Sequence, residues 1–222
     1  MLVTTTTTQQ GYRMILYSAV PTSNLMIDLF RKYRFWRFMF SIDPSPKTVM
    51  DKIQDCKYAI DNGAFHYFNK QMPYDPKRFF TLLSKYGDNA DFVVIPDVVE
   101  NARETFQMFW KYNNLINYPK YFVLQDGMVP NDLKIIINLV DGLFLGGSTD
   151  YKLKNIRLFA DYCRLKNKKL HVGRVSSPKR IKKCMDEGAH SIDGSGYSRF
   201  KDQLKRTSEW FINQNKQLNF GW

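Results

Sequence analysis

Tyr121-Phe122-Val123-Leu124-Gln125-Asp126-Gly127 decides the fold: an apolar and aromatic run that stops abruptly at an amide, an acid and a glycine. A short continuous apolar run reads as a strand covered on both faces, and its polar stop as the start of a loop. The amphipathic segment Asn131 to Leu139 follows, and the pattern then returns as Gly142-Leu143-Phe144-Leu145 with Gly146-Gly147-Ser148 behind it. Strand, helix and strand in this order form the unit of a parallel sheet. The unit repeats outward in both directions, with apolar runs at Met14 to Ala19, Arg37 to Ser41, Tyr58 to Ile60, Phe92 to Ile95, Leu170 to Val172 and Ser191 to Ile192. Helical patterns lie between them at Asp75 to Tyr86, Asn101 to Leu115, Leu153 to Leu165 and Pro178 to Glu187, and a last one runs from Ser198 to Gln214.

Eight such units predict an α/β fold, a single compact (β/α)₈ TIM barrel; the 222 residues fall near the low end of its usual span of roughly 200 to over 400. The competing open, doubly wound sheet usually carries a glycine-rich phosphate loop after its first strand. Here Val20-Pro21-Thr22-Ser23-Asn24 fills that place and reads as a turn and helix cap. Without a repeat, linker or composition break, residues 11–222 are one catalytic domain, and the Thr- and Gln-rich residues 1–10 are a disordered or loosely attached tail.

Lys and Arg number 33 against 21 Asp and Glu, a net charge of +12 that points to a polyanionic partner, with nucleic acid first. Cys56, Cys163 and Cys184 form no CxxC pair, so neither a disulfide framework nor a zinc knuckle is expected. His66, His171 and His190 show no metal-ligand spacing and read as non-ligands; no metal and no cofactor is expected. The longest aliphatic run, Ile135 to Val140, is too short for a bilayer, which predicts a soluble, cytoplasmic protein with no membrane partner.

In a parallel barrel the C-terminal strand ends and their loops build the active-site face. Those ends carry Asp61-Asn62-Gly63-Ala64-Phe65, Pro96-Asp97, Gln125-Asp126-Gly127, Gly146-Gly147-Ser148, Gly173-Arg174 and Asp193-Gly194-Ser195-Gly196. Any one of them is ordinary turn chemistry, but acids and glycines repeated around one ring point to a pocket.

In order and spacing these segments resemble the tRNA-guanine transglycosylase superfamily, whose barrel exchanges a guanine in nucleic acid for a 7-deazaguanine. Asp61 to Phe65 is similar to the family's Asp-Ser-Gly-Gly-Phe segment, and Gln125-Asp126-Gly127 to its Val-Gln-Gly-Gly segment. Gly146-Gly147 resembles its Gly-Gly strand end, Val172-Gly173-Arg174 with Ser177-Pro178 its Gly-Val-Gly-Thr-Pro segment, and Gly188 to Asp193 the segment with the nucleophilic aspartate. The likeness runs from Tyr58 to Phe200 and implies Asp193 as nucleophile and Asp61 as proton carrier. It also implies base recognition by Asp97, Gln125, Gly146, Gly147 and Phe65. Tyr67, Phe68, Tyr197 and Phe200, close to the strand ends, are candidates to stack on an extruded base, with core or rim packing the ordinary alternative.

Arg174, Ser177, Arg199 and Lys201 lie where barrels often hold phosphate, so they are the expected contacts to the nucleic-acid backbone. No Cys follows Asp193, so the zinc site of tRNA-acting members has no ligands and a zinc subdomain is not expected. The short chain looks more like phage-type relatives that place 7-deazaguanines in DNA. DNA and a 7-deazaguanine base are therefore the expected partners ahead of tRNA, in the host cytoplasm if phage-encoded, with a homodimer left open. An N-glycosidase, a non-catalytic nucleic-acid-binding barrel and a metal-dependent hydrolase remain the alternatives.

Overall fold

Trp36-Arg37-Phe38-Met39-Phe40 shows how the sequence divides itself: the aromatics at 36, 38 and 40 are buried, and Arg37 and Met39 between them are half-buried on the opposite face. Strand side chains alternate with a period of two, so one set meets the helices and the other fills the middle of the molecule. The computed structural model describes residues 14–21, 23–41, 53 and 55–219. The expected N-terminal tail lies outside them.

Eight strands, β1 (Ile15–Ala19), β2 (Trp36–Phe40), β3 (Tyr58–Ile60), β4 (Ala90–Val94), β5 (Lys120–Leu124), β6 (Gly142–Leu145), β7 (Lys169–Val172) and β8 (Ser191–Asp193), pair in sequence order and close into a barrel. All pairs are parallel, and β8 returns to β1 with Tyr17 opposite Asp193. Around it lie α1 (Asn24–Lys32), α2 (Ala64–Asn69), α3 (Pro76–Tyr86), α4 (Ala102–Tyr112), α5 (Thr149–Leu165), α6 (Pro178–Asp186) and α7 (Lys201–Asn219). The expected (β/α)₈ barrel is the fold observed. None of its described helices is long and apolar enough to cross a membrane.

Two apolar layers result. Ile15, Tyr17, Ala59, Phe92, Val94, Tyr121 and Val123 fill the barrel, joined by Met39 and Phe144, while the larger cluster packs strands against helices. Phe92 and Tyr121 stack at 4.0 Å between centroids. Toward the N-terminal strand ends the filling turns polar: Arg37 pairs with Asp91 at 2.8 Å, and the Tyr17 hydroxyl donates to the same carboxylate at 3.0 Å. That end is plugged, and the space for a ligand lies at the other.

One expected helix is absent. Residues 131–139 form two 3₁₀ turns instead, Pro130–Leu133 and Ile136–Asn138. The spacing of buried Leu133, Ile136 and Ile137 suits a helix, but Pro130 and the Asp132 carboxylate, which accepts the Val129 N–H, tighten the first turn. A 3₁₀ turn also rises about 2.0 Å per residue against 1.5 Å in an α-helix, so a short crossover spans more of the barrel's height.

Candidate active site

The period of two explains why the polar strand ends meet. Ala59, Val123 and Phe144 belong to the barrel filling, and two residues beyond each lie Asp61, Gln125 and Gly146. On β8, Asp193 stands two beyond Ser191 and shares its inward face. Asp97 breaks the rule, standing three beyond Val94, because the strand ends before Ile95-Pro96 re-aims the chain. All of these line one cavity of about 390 Å³ at the C-terminal mouth, together with Asn62, Phe65, Gly147, Arg174 and Ser176.

Asp97 is the most enclosed of the acids, 7% exposed. Its Oδ1 accepts from Asn62 Nδ2 at 2.7 Å and its Oδ2 from Gln125 Nε2 at 2.6 Å. Burial raises it to about 6, against the pull of those two hydrogen bonds and of Arg174. Gln125 is oriented by both ends of its amide, since its Oε1 accepts the Glu100 N–H at 3.0 Å. A carboxylate oxygen holds two lone-pair sites and an amide nitrogen two hydrogens, so each keeps capacity toward the cavity. Asn62 is the residue that sequence reasoning passed over. It bridges β3 to β4 by donating also to Ile95 O at 2.8 Å, and its Oδ1 takes the Ala64 N–H at 2.7 Å.

Asp61 accepts the Gly63 N–H at 3.2 Å on its side chain. Burial, with the charges of Asp193 and then Asp97, pushes it up to about 7. Asp193 is held differently: its Oδ1 meets His171 Nε2 at 2.9 Å and the Arg174 N–H at 3.3 Å. Both hydrogen bonds to its carboxylate among the described residues fall on that one oxygen, and its side chain is 19% exposed. Three acids in one cavity thus differ in environment, the arrangement that separates proton carriers from nucleophiles.

No protein-family model matches the chain, and no curated protein matches it. The roles of these residues therefore rest on geometry and chemistry.

The glycine pair after β6 is shaped by close approach. A side chain at Gly146 would meet Val123 at 2.9 Å and the Leu124 carbonyl oxygen at 3.0 Å. Gly147 sits at φ +72°, where a side chain would also strike the Asp126 carboxylate. Asp126 does not face the cavity chemistry: it accepts from Ser148 N at 2.7 Å and Ser148 Oγ at 2.5 Å, fixing the turn that presents those glycines.

Arg174, the expected phosphate contact, forms a strap across the mouth. It donates to Gly147 O at 2.6 Å and its guanidinium lies 4.3 Å from the Phe65 ring centre, at φ +59°. Phe65 therefore lines the cavity under a cation. Of the other aromatics, Tyr67 and Tyr197 are core residues, while Phe68 and Phe200 are exposed and outside the cavity lining. Ser177, Arg199 and Lys201 do not line it either. Ser177 caps α6 by accepting from Arg180 N at 3.4 Å, and Arg199 and Lys201 are exposed beyond β8. Behind β7, buried Lys152 donates to Gly173 O at 2.7 Å, and burial draws its ammonium down to about 8. Among the described residues no group of three or more His, Cys, Asp or Glu is placed to hold a metal ion.

Proposed function

We propose that the chain is a nucleic-acid guanine transglycosylase that exchanges guanine in DNA for a 7-deazaguanine. The observation that carries this is one apolar-walled cavity in which a carboxylate with one uncommitted oxygen, a carboxylate raised to about 7 and a carboxylate–amide pair face a common space. The reaction needs each of these. Asp193 Oδ2 attacks C1′ of the sugar as the bond from C1′ to the purine nitrogen breaks, giving a glycosyl ester and splitting one hard displacement into two. Asp61 gives its proton to the leaving guanine. The incoming base returns a proton to Asp61 as its nitrogen attacks C1′ and frees Asp193.

Base reading falls to the remaining groups. Asp97 accepts from the amino and ring N–H of the purine edge, and Gln125, whose oxygen is held by Glu100, offers its second N–H to the carbonyl. A base lacking those groups would leave buried polar atoms unpaired. Phe65 and Phe144 supply apolar walls for the ring. A duplex hides C1′, so the nucleotide is flipped out or the substrate is single-stranded. The test offers guanine-labelled DNA and tRNA separately, with and without 7-deazaguanine, and follows label release and nucleoside mass. Exchange in DNA that depends on added base supports the reading; release without added base means hydrolysis, and exchange in tRNA alone reassigns the polymer.

A further inference from the structure

We infer that His171, itself held by Ser191, is a positioning residue that fixes the Asp193 carboxylate and eases its departure from the sugar; this rests on the base-exchange reading above. His171 is fully buried in the barrel, two residues before Gly173 and beside Ser191 in the β7–β8 register. Its Nδ1 meets Ser191 Oγ at 2.9 Å and its Nε2 meets Asp193 Oδ1 at 2.9 Å. An ionised carboxylate only accepts, so the ring carries a proton on Nε2, and a neutral ring then takes the serine hydroxyl hydrogen on Nδ1. Aromatic walls fix the ring plane: Phe144 stacks on it at 4.6 Å, with Phe92 at 5.3 Å and Tyr17 at 5.6 Å on other sides.

Apolar side chains would fill this space without the desolvation that a buried polar chain demands. The chain instead ends on the oxygen of an acid that lines the cavity. Two N–H groups on Oδ1 turn the carboxylate so that Oδ2 is the oxygen left for C1′. In the ester, Oδ1 is the carbonyl oxygen. As the second base attacks, the electron pair of the C1′–Oδ2 bond returns to the carboxylate, and both donors stabilise the charge that reappears. Loss of the histidine donor therefore slows the second half of the exchange more than the first, and ester accumulates.

The experiment compares wild type, His171→Leu, His171→Gln and Ser191→Ala in steady-state exchange and in the fraction of labelled DNA trapped as ester on a denaturing gel. His171→Leu should lower kcat about 10- to 100-fold, the scale of one missing hydrogen bond to a charged group, and raise the trapped fraction. The equilibrium Kd for the incoming base should change by less than about twofold, because the base site is untouched, while KM for that base rises in step with the trapped fraction. His171→Gln, which keeps an N–H near the same place, should recover part of the loss, and Ser191→Ala should fall between. Equal impairment in Leu and Gln variants, or wild-type kcat and trapping in a folded Leu variant, overturns the inference alone. Absence of both exchange and ester in the wild type overturns the base-exchange reading and this inference together. The imidazole ¹⁵N shifts report the tautomer apart from turnover: an Nδ1–H tautomer for His171 also overturns it.

Discussion

Asp61 is the residue whose environment makes the sharpest demand. Its carboxyl is raised to about 7 from an ordinary value of 3.8, so between those values the folded chain holds a proton that the unfolded chain releases. Stability from this group is therefore fully present below about pH 4 and is lost as pH rises toward 7. Asp61→Asn, which can still accept the Gly63 N–H, should raise Tm at pH 8 by at least about 2–4 °C, the shift of one kcal/mol in a chain this long, with the gain fading toward pH 4. Calorimetry of both proteins across that range checks it, and a gain that grows toward acid would refute the assignment. Release of guanine should fall above about pH 7 as Asp61 loses its proton, a limb in the pH–rate profile that the Asn variant lacks along with most of its turnover. The acids were legible because each ends an apolar run; a period of two aims Asp61 and Asp193 inward, whereas Asp97 is turned in by the Ile95-Pro96 bend. His171 and Ser191 carried the same signal, being polar positions on the inward face of apolar strands, but histidines without metal-ligand spacing read as inert. Asn62 was hidden for another reason: its role is a bridge to Ile95 O and Asp97, a contact between strands that no local pattern encodes.

At the scale of elements, the turns that present the site matter more than the strands beneath them. The β5 and β6 ends are locked together by Asp126 on Ser148, whose hydroxyl also caps α5 by accepting from Tyr151 N at 3.2 Å. Asp126→Ala leaves the Ser148 N–H without its partner at a cost of about 1–3 kcal/mol. It should lower Tm by about 2–4 °C per kcal/mol and raise KM for the base, because Gly146 and Gly147 lose their fixed turn. Ser177→Ala is the contrasting case. Removing the α6 cap should cost about 1 kcal/mol; unchanged KM and DNA affinity would leave Ser177 a cap alone, and a fall in affinity would support the phosphate role expected from its place before Pro178. Calorimetry and steady-state kinetics read both variants. Helix starts were partly readable: Asp75, Asn101 and Ser177 stand at or just before the expected starts and accept a helix N–H, whereas Ser148 caps a helix that begins four residues before the expected Leu153, and Ser23 makes no side-chain cap bond. The crossover at 131–139 was not, since its apolar spacing serves a helix and two 3₁₀ turns equally well.

For the molecule as a whole, eight polar-ended apolar runs made closure of the barrel legible, but the placement of charge was not. Among the described residues, exposed basic side chains lie at both ends of the barrel. Exposed Arg199, Lys201, Lys205 and Arg206 follow β8 on the cavity side, whereas exposed Lys166 and Lys169 lie at the start of β7, at the opposite end. Part of the rest is internally committed: Lys182 pairs with Asp186, Lys183 with Glu187, and Lys168 donates to Val140 O at 2.6 Å. Net charge alone therefore cannot separate a polymer-binding face from a generally basic surface, but position can. If DNA crosses the cavity mouth, Arg199→Glu with Lys201→Glu should weaken DNA binding and flatten the salt dependence by about 0.7 unit of log–log slope for each single-strand phosphate no longer neutralised. The same reversal at Lys166 and Lys169 should leave the slope near that of wild type, because charges beyond a Debye length of about 8–10 Å are screened from the bound strand. Fluorescence anisotropy of single-stranded DNA over a salt series reads both double variants against wild type. Equal effects from the two ends would assign the charge to the surface at large, and a flat wild-type profile would remove DNA as the polymer that reaches Asp193.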